Sequence, residues 1–352
     1  MYNGQKVIDI HGHHSTPPHF RAYAYNIIAL RQTTGALQIP KGPMQEAQER
    51  HLKMMDDRQI DVQFISARPV AMMHWEQPGI QALWAKTTND VIHQTVQMHP
   101  DRFAGVAQLP QTSIDFEKDT AHCVPEFHRA VTELGFVGAT LNPDPGADRR
   151  APGVNDPYWY PIYEASIELK APLTIHASIS KDPRISLLPH NYQYNFLTEE
   201  ALATELYEQS DIFSRYPELK IVVCHCGGTL SRFIPHAESS GVQGGGSAGL
   251  TMGNGPDYGA VQHNPKNNLF FDTCAYDPGY LALAFKQRGV SQMMFGTEAP
   301  GSGTGVLNPD TGKPSDDLVP IIDGFDFLTE ADKRSIFREK ALELYPLYKE
   351  YP

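Results

Sequence analysis

The chain has 352 residues, 41% of them hydrophobic and 20% charged, with a formal net charge of −12. That length suits one large domain or two small ones, and the composition is ordinary for a globular protein. The acidic balance argues against nucleic acid and anionic membrane surfaces as partners, but a locally cationic pocket could still take an anionic small molecule. No apolar run is long enough to span a bilayer, and the N-terminal stretch carries no basic segment followed by a long apolar one, so a cytoplasmic protein is expected. The four cysteines, Cys123, Cys224, Cys226 and Cys274, fit buried reduced thiols better than a disulfide framework.

In chain order, short apolar runs read as buried strands at 7–11, 62–67, 103–109, 136–141, 173–176, 221–225, 269–273 and 293–297. Amphipathic stretches lie between them at 45–58, 80–98, 157–169, 198–215 and 280–288. Eight strand–helix units predict a (β/α)8 TIM barrel, here a single domain over 1–352. An open doubly wound sheet is disfavoured, because the first run ends in histidines and not in a Gly-rich phosphate turn. The length beyond a minimal barrel falls after strands, at 14–43, 178–196, 236–266 and 300–315, and long loops on that one face predict a pocket. Residues 328–352 read as a closing helical tail, with Thr329 as N-cap and Leu342, Leu344 and Leu347 available for packing.

Barrel strands converge at their C-terminal ends. The first ends in His11-Gly12-His13, two imidazoles aimed to one side with a glycine between them. Later ends carry Ser66 and Arg68, Gln108, Asn142 and Asp144, His176, His225, Asp272 and Glu298. His11, His13, His176 and Glu298 make a three-histidine, one-carboxylate set for Zn²⁺, with Mn²⁺ or Fe²⁺ as alternatives. His225 is not needed for coordination and suits proton transfer at neutral pH; Glu298 also counts among the catalytic groups. Asp9 shares a strand side with His11 and is expected to orient a ligand imidazole. Arg68 is expected to fork onto a substrate carboxylate, with His74 and Asn142 as further substrate donors. In Cys224-His225-Cys226, strand alternation puts both thiols on the side away from His225, against joint ligation.

These motifs resemble the amidohydrolase superfamily, in particular its aminocarboxymuconate-semialdehyde-decarboxylase-like branch. The carriers are Asp9-Ile10-His11-Gly12-His13, Thr174-Ile175-His176, Cys224-His225-Cys226-Gly227-Gly228 and Phe295-Gly296-Thr297-Glu298. Within the branch the chain is most similar to 4-oxalomesaconate hydratases, through Ser66-Ala67-Arg68, Leu141-Asn142-Pro143-Asp144-Pro145, Trp159-Tyr160-Pro161-Ile162-Tyr163-Glu164 and Phe270-Phe271-Asp272-Thr273-Cys274. The resemblance implies zinc on His11, His13, His176 and Glu298, with His225 as acid/base group. Glu298 in place of the decarboxylases' usual Asp is the hydratase-like choice. Two departures stand out. The hydratases' arginine after the last strand's carboxylate has no counterpart in Gly301-Ser302-Gly303-Thr304-Gly305. Their tyrosine after the fifth strand has more than one counterpart, Tyr192 and Tyr194. A substrate with fewer carboxylates follows.

The expected function is a metal-dependent lyase, a hydratase of an unsaturated oxo or carboxy acid from aromatic-ring breakdown. Non-oxidative decarboxylation, lactone or amide hydrolysis, and a metal-free binding protein on the same scaffold stay open. A small anionic organic acid is the expected partner, and a homo-oligomer the expected assembly.

Overall fold

The computed structural model describes residues 1–30, 37, 39–114, 118–189, 191–230 and 267–350. Eight strands form one parallel sheet in sequential order. They are β1 (Ile8–His13), β2 (Val62–Ser66), β3 (Phe103–Gln108), β4 (Gly138–Leu141), β5 (Leu173–Ile175), β6 (Ile221–Val223), β7 (Leu269–Asp272) and β8 (Met293–Met294). Backbone hydrogen bonds from Ile10 N to Phe295 O and from Glu298 N to His11 O, at 2.9 and 2.7 Å, join β1 to the segment after β8 and close the ring. The predicted barrel is therefore present, and its strands are mostly shorter than their apolar runs. The last residues of several runs leave the ladder to carry side chains at the mouth.

Helices cover the outside: α1 (Pro18–Leu30), α2 (Lys41–Asp57), α3 (Pro78–Met98), α4 (Val124–Thr132), α5 (Tyr160–Leu169), α6 (Asn191–Glu208), α7 (Ile212–Arg215) and α8 (Pro278–Arg288). The single helix read over 198–215 is two, because α6 starts seven residues earlier, at Asn191, and a break separates it from α7. The tail holds α9 (Val319–Asp323), α10 (Glu330–Arg334) and α11 (Lys340–Leu344). Thr329 caps α10 as predicted, in a capping box with Asp332. Among the described residues no helix is long and apolar enough to cross a membrane. The loop expected at 236–266 lies outside the described residues, as do parts of 14–43 and 178–196.

The barrel is a packed core. Ile8, Ile10, Val62, Phe64, Val106, Val222, Phe270 and Met294 fill its interior, and Leu344 and Tyr345 of the tail pack against them. The tail thus stops the barrel at the end away from the histidines. Leu342 and Leu347 lie against this cluster, half-buried. A second layer, including Phe127, Trp159, Tyr163, Tyr207 and Phe285, sits between strands and helices. All four cysteines are buried free thiols.

One irregularity positions the site. Ile8 pairs with Val62 and Gly12 with Ile65, so four steps along β1 match three along β2. This bulge, between Asp9 and Gly12, breaks the alternation of β1. Asp9 alternates with Ile8 and Ile10 and faces away from the interior side they hold, and past the bulge His11 and His13 turn to the mouth. Gly12 permits the arrangement, since a Cβ there would meet Gln63 Cδ at 2.1 Å.

Candidate active site

Four imidazoles from three parts of the chain meet at the mouth. The His11 ring centroid lies 5.1 Å from His13, 5.0 Å from His176 and 5.3 Å from His225, and His176 lies 5.0 Å from His225. All four are buried. His13, His176 and Glu298 offer ligand atoms within 4.8 Å of one another, and His11 adjoins them. Glu298 Oε1 stands 3.9 Å from His13 Nε2 and 3.6 Å from His225 Nε2.

Each ring has its Nδ1 engaged from outside. His11 Nδ1 is 2.6 Å from Asp272 Oδ2, His176 Nδ1 2.8 Å from Ala177 O, and His225 Nδ1 2.7 Å from Glu200 Oε2. Ser66 Oγ, 3.2 Å from His13 Nδ1, can accept from it while donating to Gly12 O. At His11, His13 and His176 an acceptor at Nδ1 places the proton there and leaves Nε2 a lone pair for a ligand. The Nε2 atoms of His11, His13, His176 and His225 are buried and have no hydrogen-bond partner among the described residues. One unsatisfied buried nitrogen costs about 1–3 kcal/mol, so the three of His11, His13 and His176 that converge are suited to a shared electrophile. This donor set, neutral imidazoles beside a carboxylate, fits a divalent cation.

Electrostatics agree. Burial, then the charge His11 can carry, holds His13 and His176 well below the usual histidine range. Burial opposes charge on His225 too, but the Glu200 carboxylate outweighs it and raises the group well above that range. Burial also raises Glu200. At Glu298, burial pushes the carboxyl up and the adjacent His225 more than reverses this, so it stays ionised. His225 and Glu298 both adopt left-handed backbone, at φ 51° and 64°. Such positions cost roughly 1–3 kcal/mol and are found where surrounding structure enforces them.

Several expectations need correction. Asp9 does not orient an imidazole. It accepts from the backbone of His11 and Thr297, the Thr297 hydroxyl and the Gln63 amide, and Asp272 takes the expected role at His11. The bulge in β1 is the reason. His74 is buried with both nitrogens used, Nε2 on Leu109 O at 3.2 Å and Nδ1 facing the Asn142 amide at 3.1 Å. Asn142 is fully buried, and its Oδ1 accepts from Asp144 N. This pair braces the loop after β4 and does not present donors to a substrate. The alternation argument over Cys224-His225-Cys226 also fails, because β6 ends at Val223 and Cys226 has φ 59°. Cys224 in fact lies within 4.8 Å of ring nitrogens of His11 and His176. Burial raises its thiol far above the usual range and keeps it protonated.

Arg68 is half-buried after β2, and its guanidinium forms no ion pair or hydrogen bond among the described residues. Burial lowers its pKa and Glu298 opposes that, which puts the guanidinium in the field of the site. The 190–196 stretch expected as a loop is, from Asn191, the first turns of α6, and from it Phe196 reaches the site. It stacks on His225 at 5.6 Å and meets His176 edge-on at 4.9 Å, with Tyr192 behind it. Tyr194 is 48% exposed. Glu200, one turn further along α6, was missed by sequence reading, since nothing distinguishes it from its neighbour Glu199 in a helix of mixed residues.

Comparison with known proteins agrees with this architecture. Residues 8–347 match the family profile described as Amidohydrolase. The chain is 30% identical over 352 residues to 2-keto-4-carboxy-3-hexenedioate hydratase of a Sphingobium species, covering 97% of this chain and 96% of that protein. The crystal structure of 4-oxalomesaconate hydratase from Rhodopseudomonas palustris superposes with a TM-score of 0.76 at 29% identity, covering 97% of this chain and 96% of the other. A 2-amino-3-carboxymuconate-6-semialdehyde decarboxylase of Dictyostelium discoideum is 26% identical, over 82% of this chain and 73% of its own length.

Proposed function

Because this chain belongs to the amidohydrolase family, we propose that it is a metal-dependent lyase of hydratase type, built on one barrel domain. Its substrate is a small unsaturated oxo or carboxy acid of the kind released by aromatic-ring cleavage. Similarity to the two hydratases supports the reaction class. The observation that carries the reading is the set of Nε2 atoms of His11, His13 and His176 converging beside an ionised Glu298, near a guanidinium with no partner among the described residues.

His11, His13, His176 and Glu298 are the proposed ligands, for Zn²⁺ first and Mn²⁺ second. The cation supplies Lewis-acid stabilisation of negative charge developing on a substrate oxygen. Arg68 holds a substrate carboxylate with its free guanidinium. His225, held as imidazolium by Glu200 at Nδ1, carries at Nε2 the proton given to the substrate and takes one back from the attacking water. The water oxygen bonds to the β-carbon, the double-bond pair moves toward the carbonyl oxygen, His225 delivers its Nε2 proton to the α-carbon, and the proton lost by the water restores His225. Phe196 covers His225 and His176 and excludes bulk water.

Decarboxylation is the second reading. The similarity to the Dictyostelium decarboxylase and the absence of an arginine from 301–305 favour it. In that case His225 protonates the carbon that loses carbon dioxide. The test is to incubate metal-replete protein with ring-cleavage acids, aromatic carboxylates and lactones and follow mass changes. Gain or loss of one water on a ring-cleavage acid supports hydratase chemistry. Loss of carbon dioxide, or lactone opening alone, overturns it.

A further inference from the structure

We infer that Tyr276 is a positioning residue that fixes which oxygen of Glu298 faces the site. The inference rests on the reading of Glu298 as a cation ligand. The two carboxylate oxygens have different surroundings. Oε2 accepts from the Tyr276 hydroxyl at 2.8 Å and from Ser302 N at 3.3 Å. Oε1 points to the Nε2 atoms of His225 and His13. The Tyr276 oxygen also lies 3.3 Å from Thr297 O, but a hydroxyl has one proton, and the charged acceptor is both nearer and stronger. Cys274 Sγ donates to the same hydroxyl at 3.6 Å, which completes a chain from thiol to phenol to carboxylate.

The ring itself is held. A Cβ on Gly303 would meet Tyr276 Cζ at 2.7 Å, so only glycine lets the loop after β8 lie flat against the phenol. Tyr276 follows β7 and Glu298 follows β8. The contact therefore locks the last two strand ends of the barrel together at the carboxylate. A carboxylate with one oxygen tied to two donors cannot rotate freely or chelate through both oxygens. It presents Oε1 alone and offers one bond.

The test is an equilibrium titration of the full chain with Mn²⁺, read by the electron paramagnetic resonance of the free ion. Wild type, Tyr276→Phe and Glu298→Gln are compared, with Tm measured for each. The phenylalanine keeps the ring packed on Gly303 and removes only the hydroxyl. Weaker Mn²⁺ binding in Tyr276→Phe, by about 10- to 100-fold, with Tm moved by only a few degrees, is the expected result. Wild-type affinity in Tyr276→Phe beside weakened binding in Glu298→Gln overturns the inference and spares the parent reading. Wild-type affinity in Glu298→Gln overturns the parent reading and this inference together. A Tyr276→Phe chain that does not fold also counts against it, because the hydroxyl then serves the fold and not the carboxylate.

Discussion

His225 Nδ1 lies 2.7 Å from Glu200 Oε2, a contact between a turn at the barrel mouth and a helix of the outer layer. The other oxygen of Glu200 accepts from Ala177 N, beside His176. One buried carboxylate thus braces the proposed acid/base group and the backbone next to a proposed ligand. Glu200→Gln keeps the shape and removes the charge. Turnover is expected to fall about 10- to 100-fold with metal content unchanged. Steady-state kinetics paired with elemental analysis checks this, and unchanged turnover would deny Glu200 its role.

Replacing His225 itself acts on the proton transfer. His225→Asn is expected to retain the cation and to lose roughly 10²–10⁴ in kcat, the usual worth of general acid–base catalysis. The same paired measurement applies, and normal turnover at full metal content rules the assignment out.

Arg68 tests recognition apart from chemistry. It is the guanidinium near Glu298 that lacks a partner among the described residues. Arg68→Met is expected to raise KM by about 10- to 100-fold, the worth of a charged hydrogen bond, with a smaller effect on kcat. Equal KM values for variant and wild type would remove Arg68 from the site.

His51 gives the fold a pH dependence with a definite sign. Its ring is buried behind β2, with Nε2 2.6 Å from Gln63 Oε1, and burial lowers its pKa from 6.5 to about 4. Between those values the unfolded chain holds a proton that the folded chain does not. This group's stability is therefore complete above about pH 6.5 and drains as pH falls, at about 1.4 kcal/mol per pH unit. Asp9, raised to about 6 by burial, pulls the other way, so the comparison is between wild type and His51→Gln, which share it. Urea denaturation from pH 7 to pH 5 is expected to show wild type losing stability relative to the variant as pH falls below about 6.5. Parallel curves would mean that His51 titrates in the fold as it does in the open chain.

The barrel could be read from the sequence because each strand is a short apolar run buried on both faces, bounded by turns. The proposed ligands were visible for a related reason, as polar residues ending apolar runs. What escaped depends on tertiary contacts. Asp9 was misassigned because a bulge cancels strand alternation, and a bulge leaves little trace in sequence. His74 and Asn142 appeared free, yet they satisfy each other. Glu200 sits among polar helix residues, and only the approach of α6 to the turn after β6 gives it meaning. Tyr276 acquires its contact from Glu298 at the neighbouring strand end, 22 residues on in the sequence.

The central claim is that one cation sits where the bare nitrogens converge. Anomalous diffraction from crystals of the metal-loaded chain, recorded at the metal's absorption edge, tests it most directly. The account expects a single peak about 2.0–2.2 Å from the Nε2 atoms of His11, His13 and His176 and from Glu298 Oε1. A fully loaded chain whose peak lies elsewhere, or whose histidines bind nothing, would contradict it.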